Sequence, residues 1–261
     1  MNLVDGLSRD GAYEVDLINF LRDCAFPTMS EIQGDGLILQ SGVGFVPEQV
    51  PGSSAVHRVS IPEPNLLYGY DIASDKCLFT RPQRRAIKDL VPRLGNINQE
   101  GHLGFPFLLV EATGKGNPAY EGGLEGAKNQ CLGGAAACLE VINKLNRFVE
   151  DQDPDTYWTP EVSNLVFSIA VTQHTAEVYK STMGKEVTNT GEVQQLYYTE
   201  KEQTYSLREP ESFSKFYKYI REIIYWGTRE RLRDIQYVLD YLTYTKMRTY
   251  DYVMRTRFPA R

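Results

Sequence analysis

Residues 105–112 of the chain read FPFLLVEA and form its most apolar strand-like segment. A strand that is buried on both faces of a sheet has a continuous apolar run of this kind, so the segment predicts a central β-strand. After a turn-rich link, residues 124–149 predict a long helix, in which Gly133, Gly134 and the alanines that follow give a small-residue face for close packing on a sheet. A buried strand followed by such a helix predicts an α/β fold.

The segments on either side of this pair complete the predicted architecture. Residues 12–26 have apolar residues at helical spacing and stop before Pro27, whereas residues 65–73 predict a strand that ends in a turn. Residues 164–182 predict two strands or a hairpin, and the rest of the chain, especially the tyrosine-rich residues 211–245, predicts helices. This order predicts a mixed central sheet flanked by helices, with a helical C-terminal extension.

Length and composition are those of a globular protein with one core. The chain has 261 residues, of which 42% are hydrophobic and 24% are charged. We predict a single domain over residues 1–261, with its core at about 60–182, a helical extension at about 205–250 and an irregular or weakly stranded stretch at 27–62. The sequence shows neither a signal peptide nor an apolar run that could span a membrane, which predicts an intracellular protein, nuclear or cytoplasmic.

The charge of the chain argues against a protein that coats nucleic acid nonspecifically. Its formal net charge is -6, whereas neutralising phosphates requires an excess of lysine and arginine. Two basic segments stand out locally, at residues 81–95 and at residues 197–252, where arginines are interleaved with tyrosines. The tyrosines are more commonly explained by the packing of amphipathic helices, and stacking on single-stranded nucleic acid is the alternative.

Two carboxylates stand at the ends of predicted strands. Glu111 follows four apolar residues, where a charge is costly unless it is paired or binds a metal ion, and Asp71 ends the strand at 65–73. If the two strands are neighbours, we expect both carboxylates at one end of the sheet. Two such oxygen ligands suit Mg²⁺ or Mn²⁺, which activates water for phosphodiester cleavage. A carboxylate that turns into solvent at the strand end is the alternative for each residue.

Two further residues extend this candidate site. Lys115 shares a strand face with Glu111 if the strand continues, and there it can hold the attacking water or offset phosphate charge. A solvated turn lysine between Gly114 and Gly116 explains it equally well. Gln130, on the following helix, can point back over the carboxylates, although spacing alone favours an amide on the helix surface.

Other catalytic patterns are absent from the sequence. It contains no G-x-x-x-x-G-K-[ST] phosphate loop and no G-x-S-x-G nucleophile elbow. Its four cysteines form no C-x-x-C pair, and its three histidines are scattered, so neither a structural zinc site nor a histidine-based site is indicated.

Three strings, PNLLYGYD, LGFPFLLVEATGKG and AKNQCLGGAAACLEVINKLN, resemble a fungal family of PD-(D/E)XK nuclease-like proteins. The strings NLVFSIAVTQHTAEVYKS and IIYWGTRERLRDIQYVLDYL look like its C-terminal part, so the resemblance covers roughly residues 60–242. The resemblance implies a restriction-endonuclease-like α/β core and metal-dependent phosphodiester cleavage.

The resemblance also implies roles for particular residues. Asp71 matches the first acidic position of the family, Glu111 matches the second, and Gln130 matches a helical glutamine. The nuclease motif expects a lysine two residues after the second acid, where this chain has Thr113. Lys115 follows two residues later, and its long flexible stem allows it to replace the missing lysine by reaching back.

Three interpretations follow. The first is a Mg²⁺-dependent (or Mn²⁺-dependent) nuclease with Asp71 and Glu111 as metal ligands, acting on nucleic acid, DNA rather than RNA. The second is a catalytically inactive scaffold of the same fold that binds nucleic acid or a protein partner, as a fungal interaction or effector protein would. The third is an unrelated α/β domain with acids at two strand ends, which a large distance between Asp71 and Glu111 would establish. The expected nucleic-acid contacts are Arg84, Arg85, Lys88 and Thr113.

Overall fold

The computed structural model describes most of the chain, with several gaps in its first half. Described are residues 14–26, 37–40, 63–73, 78–94, 103–114, 123–152, 158–187, 191 and 193–257. Within the helices, the side chains of residues 14, 91–94 and 247–257 lie outside this description. The predicted irregular stretch at 27–62 therefore falls mostly outside the described residues, apart from one short strand.

Five α-helices and six strands make up the described part of the chain. The helices are α1 (Glu14–Cys24), α2 (Arg81–Leu94), α3 (Leu124–Gln152), α4 (Pro210–Trp226) and α5 (Leu232–Arg257). The strands are β1 (Leu37–Gln40), β2 (Leu66–Asp71), β3 (Leu103–Ala112), β4 (Leu165–Val171), β5 (Thr175–Val187) and β6 (Val193–Ser206). A π-helical turn, Gly227–Arg231, joins α4 to α5 without a break in the helical backbone.

In the described residues the strands form one mixed sheet whose spatial order follows the chain, β1-β2-β3-β4-β5-β6. Only the β3–β4 pair is parallel among these neighbours, because the long helix α3 carries the chain back to the end of the sheet from which β3 started. The other pairs are antiparallel, including β2 and β3, which are neighbours although α2 lies between them in the sequence.

Strand β3 is the centre of the core, since all ten of its residues are buried. Helix α3 covers one face of the sheet and contacts both β3 and β4. Its buried face contains Gly134, Ala135 and Cys138, and residues this small allow the helix backbone to lie close to the strands. The small-residue face therefore has the packing role that the sequence indicates.

The π-helical turn fastens the C-terminal helices to one end of the sheet. Arg231 is fully buried there and donates hydrogen bonds to the backbone oxygens of Pro106, Ser163 and Leu165, which lie near the starts of β3 and β4. Tyr70 donates a hydrogen bond to the Gly227 oxygen over 2.7 Å. Buried backbone carbonyls need donors, and at this end of the sheet two side chains supply them.

Most of the predicted elements are confirmed, with one exception. Six predicted segments are helices or strands as expected: α1, β2, β3, α3, the β4–β5 pair and the C-terminal helices. The interpretation of residues 193–206 as part of a helical remainder is wrong, because they form the long edge strand β6, paired with β5. Among the described residues, no helix is both long enough and apolar enough to cross a membrane.

Candidate functional site

The two strand-end carboxylates lie at opposite ends of the sheet. In the antiparallel register of β2 and β3, Asp71 pairs with Leu103, at the start of β3, whereas Glu111 is the last residue but one of that strand. Strand β3 bulges between these ends, so the separation is measured along β2, where the six steps from Asn65, opposite Glu111, to Asp71 span about 20 Å at about 3.3 Å per step. The prediction that these carboxylates meet at one end is therefore wrong, because neighbouring strands bring their C-terminal ends together only when they are parallel.

Asp71 has a local structural role. It is half-buried at the end of β2, and its Oδ1 accepts a hydrogen bond from the Ala73 backbone N–H over 3.1 Å. A carboxylate that bonds the N–H two residues ahead forms an Asx turn and stabilises the exit of the chain from the strand. This is the plain strand-end role that the sequence left open for the residue.

Glu111 lies in a buried environment at the other end. Only 1% of it is exposed, and the register of β3, β4 and β5 places it in one row with Ala170 and Glu177. Residues in one row point to the same face of a sheet, so Glu111 and Glu177 flank the small side chain of Ala170 with their Cα atoms about 9.6 Å apart. Glu111 is thus a buried carboxylate, as its apolar context in the sequence suggests.

Asn65 is the residue across from Glu111 on β2. The register pairs Leu66 with Val110, and continuing it by one residue places Asn65 opposite Glu111. The Oδ1 of Asn65 accepts a hydrogen bond from the backbone N–H of Ala112 over 2.6 Å. The position where a second carboxylate would lie beside Glu111 therefore has an amide whose oxygen is bonded to the backbone.

Helix α3 covers Glu111 from one side. Its Cys131 is fully buried beside Glu111 and Ser168, and burial, together with the Glu111 carboxylate, raises the pKa of the Cys131 thiol well above its usual range. This thiol therefore stays protonated and acts as a core residue. Gln130 precedes it in the helix and is half-buried, and its role over the Glu111 carboxylate stays a prediction.

Of the two predicted site residues that follow Glu111, Thr113 is described by the structure and Lys115 is not. Thr113 continues the pairing with β4 by donating its backbone N–H to the Val171 oxygen over 2.8 Å, and only 6% of the residue is exposed. Its expected contact with nucleic acid is therefore wrong, because a side chain this buried is not available to a ligand. Lys115 lies outside the described residues, so its role as a replacement for the motif lysine stays a prediction.

Sequence reasoning missed a polar cluster around Glu177. The Glu177 carboxylate accepts hydrogen bonds from Tyr179, from Lys201 over 3.0 Å and from Thr204 over 3.4 Å. Burial alone would raise the pKa of Glu177, but these hydrogen bonds and the Lys201 charge outweigh burial and lower it. The alternation of charged and apolar residues in β5 was the available signal, but two of the three partners, Lys201 and Thr204, come from β6, which was not predicted as a strand.

The residues around Glu111 do not fit the Mg²⁺ site that the resemblance implies. Mg²⁺ requires oxygen ligands in near-octahedral arrangement, and the implied pair was Asp71 with Glu111, which lie at opposite ends of the sheet. The oxygens of Glu177 and Asn65 are already hydrogen-bonded within the protein. In the part of the chain that the structure describes, no group of three or more His, Cys, Asp or Glu side chains is arranged to hold a metal ion.

The expected basic contacts lie on α2, where most of them are exposed. Arg85 and Lys88 are exposed and Arg84 is half-buried, while the helix is held against α5 by ion pairing of Lys246 with Asp89 over 2.7 Å. The α2 sequence contains five basic residues and one acidic residue, a net charge of +4. Because the whole chain has a net charge of -6, the rest of it carries -10. Helix α2 is thus strongly basic on an acidic protein.

Comparison with known families gives one match. A family described as a domain of unknown function (DUF7924) matches residues 13–239. The chain belongs to this family. The DUF7924 match includes all six described strands, the helices α1 to α4 and the start of α5. Neither the curated proteins nor the solved structures include one that matches the chain.

Proposed function

We propose that this DUF7924 protein is a nuclease-like scaffold that binds nucleic acid without cleaving it. The observation that carries the absence of cleavage is the antiparallel register of β2 and β3, which separates Asp71 from Glu111 by about 20 Å along the strand direction. A restriction-endonuclease-like core and an evolutionary relation to nucleases are parts of this proposal. They rest on the resemblance described above and not on Asp71 and Glu111, because the separation of these two acids is the result that the third interpretation, an α/β domain with acids at two strand ends, predicts.

The chemistry beside Glu111 supports the absence of cleavage. A metal-dependent nuclease needs negatively charged ligands to hold Mg²⁺ where it can activate water. Here the neighbour of Glu111 on β2 is the neutral Asn65, and the motif position for lysine is the buried Thr113. Neither residue supplies a charged group beside Glu111, and both pair with the backbone of neighbouring strands.

Helix α2 is the surface that we assign to the nucleic-acid backbone. Its first turn contains Arg81 and Arg84 and no acidic residue, although basic residues near a helix N-terminus are opposed by the helix dipole. The helix dipole therefore does not favour these cations, and the exposed Arg85 and Lys88 on the same helix lie where phosphates can reach them. Binding to phosphate oxygens by arginine and lysine is independent of sequence and depends strongly on salt.

A second candidate function is a Mg²⁺-dependent hydrolase that relies on Glu111 and Lys115. The observation that favours it is the burial of Glu111, of which 1% is exposed in a strand whose residues are all buried. Burying a carboxylate is costly, and metal binding is one way to offset that cost. This candidate requires ligands other than Asp71, and it predicts divalent-dependent cleavage that is lost in Glu111→Gln.

The test combines binding and cleavage on the same samples. Fluorescence anisotropy with a labelled DNA duplex is measured for the wild type, for Arg85→Gln/Lys88→Gln and for the control Arg147→Gln/Lys185→Gln, whose residues are exposed on α3 and β5. Both double variants change the net charge equally. We expect only the α2 variant to weaken binding and to reduce the slope of log K against log salt by about 2, since each phosphate contact contributes about 1.

Two results would contradict the proposal. Equal weakening by the α2 variant and its control would mean that net charge, rather than α2, governs binding. Plasmid cleavage in Mg²⁺ or Mn²⁺ by the wild type, absent in Glu111→Gln, would establish the hydrolase instead.

A further inference from the structure

A row of tyrosines and arginines runs along the exposed side of α4, the π-helical turn and α5. Its members are spaced four residues apart over 20 residues, or about 30 Å of helix. They are Tyr217, Arg221, Tyr225, Arg229, Arg233 and Tyr237. We propose that this Tyr–Arg row binds single-stranded nucleic acid by stacking bases on its rings and bonding phosphates with its guanidinium groups.

The rings of the row are exposed rather than packed. Tyr217, Tyr225 and Tyr237 are 38%, 65% and 54% exposed. The packing of these helices is done by other residues, since the buried face of α4 consists of Phe216, Ile220, Ile223 and Ile224. The interpretation that these tyrosines serve core packing is therefore wrong for this row, and their exposed area contributes nothing to folding.

Arginines are already stacked on two of the rings. The guanidinium carbon of Arg221 lies 5.7 Å from the centre of the Tyr217 ring, and that of Arg229 lies 5.9 Å from the centre of the Tyr225 ring. Such cation–π contacts hold each guanidinium group beside a ring face. A cation is thereby held beside each of these two rings.

The π-helical turn keeps the row on one side of the helix. In an α-helix with 3.6 residues per turn, positions four residues apart drift steadily around the axis. The π turn at Gly227–Arg231 has i→i+5 hydrogen bonds and more residues per turn, so it rotates the row back in the middle of its length. The buried Arg231 fixes this turn against the sheet, so the exposed side of the row has a defined orientation.

Trp158 extends the row at its C-terminal end. It is 61% exposed, and its ring centre lies 6.4 Å from that of Tyr237. A large exposed indole beside an exposed phenol is a wide apolar platform with polar edges, which suits a base.

Charge favours nucleic acid over a protein as the occupant of the row. All charged members of the row are arginines, and among residues 210–246 six basic residues are exposed against four exposed acidic residues, on a chain with net charge -6. Successive ring–arginine pairs match a polymer that alternates aromatic bases with phosphates. This inference rests on the proposed function and deepens it, because α2 serves the phosphate backbone in general and the row selects single strands.

The experiment compares single-stranded and duplex DNA on matched variants. Anisotropy with a labelled oligo(dT) strand and with a labelled duplex is measured for the wild type, for Tyr225→Ala/Tyr237→Ala and for the control Tyr198→Ala, an exposed tyrosine on β6. Alanine is the best helix former, so the row variant keeps its helices, and circular dichroism checks this. Quenching of Trp158 fluorescence by oligo(dT) is the second readout.

We expect the row variant to bind oligo(dT) at least about tenfold more weakly, with duplex binding and the Tyr198→Ala control unchanged. We also expect oligo(dT) to quench Trp158 fluorescence in the wild type. Equal oligo(dT) binding by wild type and row variant would overturn this inference while leaving the proposed function intact. Absence of binding to either DNA would overturn both, and the row would then be assigned to a protein partner.

Discussion

Glu177 is a buried carboxylate that the fold keeps ionised. Its hydrogen bonds from Tyr179, Lys201 and Thr204 favour the charged form, which outweighs the cost of its burial. The Lys201 side chain is half exposed, whereas that of Glu177 is largely covered, so water screens the pair from one side only. The cluster joins β5 to β6 beside the row that also contains Glu111, and it stabilises the sheet near the candidate site.

We expect Glu177→Gln to destabilise the protein by roughly 1–3 kcal/mol near pH 7. The pKa of Glu177 is lowered in the folded state, so its stabilising effect is fully present above the unfolded pKa of about 4.3 and is lost as the pH falls through the lowered folded pKa. Urea denaturation of both proteins at pH 7 and in mild acid measures this. The exposed Glu186→Gln is the control, and a difference that grows in acid would contradict the expectation.

Arg231 is a second buried charged residue whose replacement has a predictable effect on stability. Replacing it with Met removes the donors of three backbone oxygens, but it also removes the desolvation cost of a buried guanidinium group. We therefore expect the free energy of unfolding to fall by about 2–3 kcal/mol, which is less than the summed contribution of three hydrogen bonds. The matched variant Arg233→Met changes an exposed arginine two residues away and is expected to stay within about 0.5 kcal/mol of the wild type in the same denaturation experiment. Equal stability of the two variants would refute the anchoring role.

At the scale of elements, the contact between the π-helical turn and β3 has a measurable consequence. A Cβ atom at Gly227 would overlap the ring of Phe107, which lies in the core of the sheet. Gly227→Ala is therefore expected to destabilise the protein by about 1–3 kcal/mol, although alanine has the higher helix propensity.

A thermodynamic cycle with Phe107→Leu checks the cause of that loss. The smaller side chain makes room at the contact, so Gly227→Ala should cost less in the Phe107→Leu background than in the wild type. If Gly227→Ala lowers the free energy of unfolding equally in both backgrounds, its cause lies within the helix and not in the contact with Phe107.

Elements were predictable where a single segment shows its own pattern. The apolar run of β3 and the small-residue face of α3 are local features, and both elements appear where the sequence indicates. Strand β6 was not predictable in the same way, because it is an edge strand with many exposed polar residues and little apolar alternation. Its pairing with β5, rather than its own composition, makes it a strand.

At the scale of the whole molecule, strand direction is the reason why the predicted site at Asp71 and Glu111 does not form. Asp71 and Glu111 do end neighbouring strands, as the sequence suggests, but those strands are antiparallel. Strand direction depends on where β3 begins, and it begins at the end of the sheet where β2 finished. No local pattern records that starting point. In an antiparallel pair the end of one strand meets the start of the other, so the partner of Glu111 is Asn65.

Charge and exposure are distributed differently between the sequence and the whole molecule. The net charge of -6 lowers the expectation of nucleic-acid binding, whereas the net charge of +4 on α2 comes from one continuous segment that is visible in the sequence. The Tyr–Arg row is also visible as a spacing in the sequence, but its exposure is decided by how α4 and α5 pack. Total charge therefore does not describe the local charge of these two surfaces.

Calorimetric titration of Mn²⁺ into the wild type, Asp71→Asn and Asn65→Asp tests the central claim most directly. The register places residue 65 opposite Glu111 and Asp71 at the far end of the sheet. We therefore expect Asp71→Asn to titrate like the wild type, and Asn65→Asp to bind Mn²⁺ at least about tenfold more tightly, because it supplies a second carboxylate beside Glu111. Tight Mn²⁺ binding by the wild type that is abolished in Asp71→Asn would contradict the account.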